Sequence, residues 1–139
     1  MSPFLLLAVA SVSALDNGLA LTPPKGWRSW NLFGAQVDQA LMQSVMDATI
    51  QRTLSVNGVP TSLADLGYTD VGLDDAWQRF NSGPGGVGYH DRDGRPIVNL
   101  TRFPSLKGLA AYAHARNLTA GCKCRRKPPL RTKNPAPKK

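Results

Sequence analysis

Two adjacent carboxylates and, two residues on, an indole close an apolar run that begins at Tyr68: Asp74-Asp75-Ala76-Trp77. Those residue types at that spacing suit the recognition of a sugar. Carboxylates accept paired hydrogen bonds from vicinal hydroxyls, and an aromatic face stacks on C–H groups. The same residues also serve as a strand-end cap or an Asx-turn, the commoner role of two neighbouring Asp residues taken alone. A second candidate is Trp30, three residues after Trp27, although a tryptophan pair is also ordinary core material.

Other chemistry is thinly represented. Asp91-Arg92-Asp93-Gly94 resembles part of a calcium loop, but the later ligands are absent and a hairpin turn is the expectation. Cys122 and Cys124 stand two residues apart, where a disulfide would close a strained ring. With no His beside them they make no zinc site. No metal and no cofactor are expected.

The elements that would position the acid pair follow from periodicity. Tyr68 to Leu73, after Gly67, reads as a buried parallel strand. Polar residues at the C-terminal ends of such strands are the ones presented to ligands. Lys25 to Asn31 is a short strand candidate. From Gln36 to Thr53 the positions of Val37, Leu41, Val45, Met46, Ile50 and Leu54 approach a 3.6-residue period and predict an amphipathic helix. Asn57-Gly58-Val59-Pro60 ends it, and Thr61 is read as the cap of a second short helix closing at Gly67. Residues 78–104 are polar and turn-rich. Ser105 caps a helix from Leu106 to Asn117, and Leu118 to Gly121 starts another strand. Strand, helix, strand, helix, strand is the order of a parallel sheet or barrel.

Composition bounds the function. The chain has 139 residues and a net charge of +8, but eight basic residues fall among the last 17, from Lys123 to Lys139. The remainder balances nine basic side chains against nine Asp and no Glu. A nucleic-acid groove would carry cations on folded surface with interleaved aromatics, so no nucleic acid is expected as a partner of the body. Residues 1–14 have an apolar core ending in Val12-Ser13-Ala14 and read as a secretory signal, too short to span a bilayer of about 30 Å. The chain is therefore expected to be secreted, or lysosomal or vacuolar, and not a membrane protein. Asn99-Leu100-Thr101 and Asn117-Leu118-Thr119 are glycosylation candidates at Asn99 and Asn117. Residues 122–139, basic and Pro-rich, are expected to be a disordered tail.

Several segments together resemble the α-galactosidase (melibiase) family of retaining glycoside hydrolases. They are Leu15-Asp16-Asn17-Gly18-Leu19, Thr22-Pro23-Pro24, Gly26-Trp27, Trp30, Gly67-Tyr68, Leu73-Asp74-Asp75, Trp77, Asp93-Gly94-Arg95, Arg102-Phe103-Pro104 and Gly108-Leu109-Ala110 with Tyr112 and His114. The resemblance covers residues 15–121 and implies an α/β fold, the N-terminal part of a (β/α)8 TIM barrel of about three β/α units. It implies that Asp74 and Asp75 bind galactose hydroxyls and that Trp30 packs against the sugar, with Trp27 in the core. The substrate or ligand would be an α-galactoside or galactose.

The departures are as informative. Lys25 stands where the family has Met, and Ala35 and Ala76 stand where many members have a disulfide pair. Lys123 stands at a pocket tyrosine. A retaining glycosidase needs two carboxyls about 5–5.5 Å apart across the scissile bond, whereas neighbours on one strand point to opposite faces. The resemblance puts the nucleophile and the acid/base on later strands, and beyond residue 121 this sequence has no Asp or Glu. A chain with this sequence is expected not to hydrolyse. The alternatives are a galactose-binding, lectin-like remnant, a secreted peptide acting through its basic tail, or a non-functional truncated product. The sequence leaves the oligomeric state open.

Overall fold

The computed structural model describes residues 23–123. The leader expected over residues 1–14, the motif residues before Pro23, Cys124 and the rest of the basic tail lie outside them.

The apolar run after Gly67 forms a strand because its side chains are buried on both faces. Val71, Gly72 and Leu73 are all buried in β4 (Asp70–Leu73). On one side β4 pairs in parallel with β1 (Gly26–Arg28), in the register Gly26↔Asp70 and Arg28↔Gly72. On the other it pairs in parallel with β5 (Thr119–Cys122), Val71 opposite Ala120 and Leu73 opposite Cys122. The sheet order is β1-β4-β5, so each strand lies beside the next parallel strand in the chain. β5 runs through Cys122, where composition alone put the start of the tail.

Gly26 is required by this close pairing. A Cβ there would meet the Asp70 carbonyl and Cβ, and would have to displace the neighbouring strand. Gly72 and Gly121 leave room on one face of the sheet for the Arg28 side chain. Val71 and Leu73 face the opposite way, toward the helices.

Two helices cover that side. α2 (Gln39–Ile50) follows a four-residue helical turn, α1 (Trp30–Phe33). It is shorter than its periodicity predicts, because Asp38 caps it, accepting the Leu41 N–H at 2.8 Å, and because Leu54 belongs to the next element. α3 (Leu106–His114) starts at the expected cap, Ser105, whose Oγ accepts the Gly108 N–H at 2.9 Å, and ends before Asn117. Met42, Met46, Val71, Leu73, Phe103, Leu109, Ala113 and Leu118 form the core with Val37, Ala76 and Trp77. Trp27 packs against it, edge-on to Phe33 with ring centroids 6.0 Å apart.

Three sequence expectations need correction. Trp30 does not lie on the first strand, which ends at Arg28, but opens α1. Residues 57–60 do more than break a helix. Asn57 and Gly58, at φ 51° and 77°, turn an antiparallel hairpin of β2 (Leu54–Val56) and β3 (Val59–Thr61), to which Val59 and Pro60 belong. Positive φ at both central residues is what a two-residue hairpin needs, and Asn-Gly supplies it without strain. Thr61 is thus a strand residue. The short 3-10 turn Ala64–Leu66 is held instead by Ser62 and Asp65. The Asp65 N–H donates to Ser62 Oγ at 3.0 Å, and the Ser62 N–H donates to Asp65 Oδ2 at 2.9 Å. It closes at Gly67, in the left-handed region at φ 86°, as expected.

Candidate functional site

Ser29 laces together the C-terminal ends of β1 and β4. Its N–H extends the ladder to the Gly72 carbonyl at 3.1 Å, and its fully buried Oγ accepts the Asp74 N–H at 3.0 Å. This contact sets Asp74 at the end of β4 beside the residue that precedes Trp30. Asp74 and Asp75 therefore follow the end of β4, beside the end of β1 after which Trp30 opens α1. Asp74 and Asp75 are half-buried, and Trp30 is 47% exposed.

The acid pair is also a backbone device. Asp74 Oδ1 accepts the Asp75 N–H at 2.9 Å, and Asp75 Oδ1 accepts the Ala76 N–H at 3.2 Å. Ala76 has φ 73°. The other described non-glycine residues with positive φ are Asn57, Asn81 and Asn117, the residue type that tolerates this region, so Ala76 carries the strain directly after the acid pair. The strand-end role weighed from the sequence is thus present in the structure.

Beyond the pair the chain turns inward at Trp77, which is buried, and Gln78. The excursion that follows is pinned at its base by the Asn99 N–H donating to the Trp77 carbonyl at 2.9 Å and the Arg79 N–H to the Ile97 carbonyl at 2.7 Å. Its tip is the hairpin turn expected at Asp91-Arg92-Asp93-Gly94. The Asp91 N–H donates to the Arg95 carbonyl, and Asp91 Oδ1 accepts from the N–H groups of Asp93 and Arg95 at 2.9 and 2.8 Å. Among the described residues no three His, Cys, Asp or Glu side chains group as metal ligands. None of their helices is long and apolar enough to cross a membrane. Asn117 is exposed after α3. Asn99 is half-buried, with Oδ1 accepting the Arg102 N–H at 3.4 Å.

Lys123 completes the arrangement. Its N–H donates to the Leu73 carbonyl at 2.9 Å, its carbonyl accepts the Trp77 indole N–H at 3.0 Å, and its Nζ lies 3.1 Å from Asp74 Oδ1. Sequence reading noticed Lys123 as a substituted position but put it in the tail, and it did not foresee this ion pair. Ser29 it missed as a site residue. Both contacts join residues more than forty positions apart, so only the strand register reveals them.

Two clefts among the described residues have linings that include none of Trp30, Asp74 and Asp75. One, about 130 Å³, is apolar and lies between α2, α3 and the β4–β5 sheet. The other, about 310 Å³, lies near Pro23, Gly67 and Asp70. The acid pair and Trp30 thus stand just past strand ends without sharing either cleft.

No protein-family model matches the chain. Among curated proteins it is 36% identical over 107 residues to an α-galactosidase of Cyamopsis tetragonoloba, covering 76% of this chain and 22% of that one. It is 37% identical over 110 residues to an α-galactosidase of Coffea arabica, covering 78% and 25%. Of solved structures, α-galactosidase I of Mortierella vinacea superposes with a TM-score of 0.60 at 31% identity, covering 78% of this chain and 23% of that one. The α-galactosidase of Saccharomyces cerevisiae, solved with raffinose, gives 0.61 at 28%, covering 80% and 21%. The chain spans about a quarter of the length of the curated relatives it matches. Over that quarter the chain is similar in sequence, at about a third identity, and in fold to part of these α-galactosidases.

Proposed function

We propose that this chain carries the galactose-gripping strand ends of an α-galactosidase-type site, and that in a complete (β/α)8 barrel these residues serve hydrolysis of terminal α-galactosyl groups. The observation that carries the reading is the placement of Asp74 and Asp75 at the C-terminal end of a central parallel strand, tied through Ser29 to the strand end that bears Trp30. That is where α/β sheets and barrels offer polar groups to ligands. The relatives' names and the yeast structure with raffinose support the choice of an α-galactoside. Asp74 and Asp75 would accept hydroxyl hydrogen bonds and Trp30 would stack on the sugar. The leader over residues 1–14 would send the protein into the secretory pathway.

The 139-residue chain by itself is proposed to bind galactose weakly and not to turn over. Asp74 and Asp75 leave one backbone segment side by side, so they do not flank a scissile bond as nucleophile and acid must. Purified chain incubated with an aryl α-galactoside should release no phenol above buffer, while galactose at millimolar concentration should shift the backbone amide resonance of residue 75 in wild type and not in Asp75→Ala. Turnover that Asp75→Asn abolishes would refute the first part. Identical galactose responses of wild type and Asp75→Ala would refute the second.

A further inference from the structure

One carboxylate of the proposed sugar site already holds a cation of the same chain. Lys123 is fastened over the end of β4 on both sides of its own backbone, through the Leu73 carbonyl and the Trp77 indole N–H. Trp77 is 3% exposed, so the second anchor is part of the core. From this fixed main chain the ammonium reaches Asp74 Oδ1, an oxygen that also accepts the Asp75 N–H. The Asp74 side chain is 23% exposed and the Lys123 side chain 63%, so the ammonium is the partner that solvent or ligand can draw away.

We propose that Lys123 is a built-in competitor of the sugar, its ammonium holding the Asp74 oxygen to which a galactose hydroxyl would donate. This rests on the reading of Trp30, Asp74 and Asp75 as the galactose site. A charged donor outcompetes a neutral hydroxyl for a carboxylate oxygen. The ammonium is nevertheless well exposed, and an ion pair open to solvent on one side is weak. The block therefore lowers affinity modestly and does not abolish binding. Salt screens the ion pair while leaving the hydrogen bonds of a neutral sugar largely untouched.

The test titrates the full chain with galactose in wild type, Lys123→Met and Lys123→Arg, following the Asp75 amide and the Trp77 indole resonances. Both anchors of residue 123 are main-chain groups, so the variants keep them, and a Trp77 indole signal at its wild-type position reports an intact clamp. Lys123→Met should bind galactose about two- to five-fold tighter than wild type, with no dependence on salt from about 0.05 to about 0.5 M. Wild type and Lys123→Arg should bind more weakly and tighten as salt rises. Equal affinities in wild type and Lys123→Met overturn the competitor role and leave the site reading standing. Absence of binding in all three overturns the site reading itself. Loss of the Trp77 signal in Lys123→Met overturns the main-chain anchoring on which the competitor depends.

Discussion

Ser29 decides the geometry of the strand ends, and its removal has a calculable cost. Ser29→Ala leaves the Asp74 N–H without its acceptor in a partly buried position. Such an orphaned donor costs about 1–3 kcal/mol. Urea unfolding should show a loss in that range, whereas Ser44→Ala, whose hydroxyl donates to the Leu41 carbonyl on an exposed helix surface, should cost far less. Gln78 offers the opposite sign. Its side chain is 2% exposed, and its Oε1 finds no hydrogen-bond partner. Gln78→Met keeps the volume and removes the unsatisfied oxygen, so the melting temperature should rise, by an amount matching about 1 kcal/mol. At this scale the sequence showed Asp74 and Asp75 because an acid pair after an apolar run is visible in one segment. Ser29 and Lys123 look like ordinary residues until the register sets them 3.0 and 3.1 Å from atoms of Asp74.

The elements were legible where local chemistry decided them. Ser105 announced α3, and Gly67 announced the left-handed close of the 3-10 turn. The hairpin β2–β3 was equally announced, by Asn57-Gly58, but the apolar positions before it continued the helical period and concealed it. Gly58→Ala should test that reading. The turn holds φ 77° with open space around the Cα, so only backbone strain is added, about 1 kcal/mol.

Acid sensitivity also belongs to the elements. The Arg52 guanidinium, then the Ser62 N–H, hold the Asp65 carboxyl far below the usual carboxylate range. Asp47 is lowered chiefly by the Tyr112 hydroxyl and then by Arg116, contacts that join α2 to α3 and to the residues just after it. Both carboxyls have a folded pKa below the ordinary value of 3.8. Between the two values the unfolded chain binds more protons, so this stability is fully present above the ordinary value and is lost as pH falls through the folded ones. Melting temperature should be level above about pH 5 and drop below about pH 4. In the double variant Asp47→Asn, Asp65→Asn the drop should be shallower.

Among the described residues a small core holds the fold together, and its largest fully buried side chain is Phe103. Phe103→Ala should cost about 3–5 kcal/mol, a large share of the total for a domain this size. Circular dichroism should show the variant losing its cooperative transition. Order and neighbourhood of the parallel strands were legible from the alternation of apolar runs and helical periods. The packing of Arg28 across Gly72 and Gly121 was not, because it needs three strands side by side before it exists.

The sheet order leaves β5 with one neighbouring strand among the described residues, β4. A parallel edge with no charge between Thr119 and Cys122 is a template onto which another molecule can add its own strand. Storage at high protein concentration should therefore nucleate fibrils that bind thioflavin T, and Thr119→Lys, which sets a cation at an exposed position of that edge, should delay their appearance.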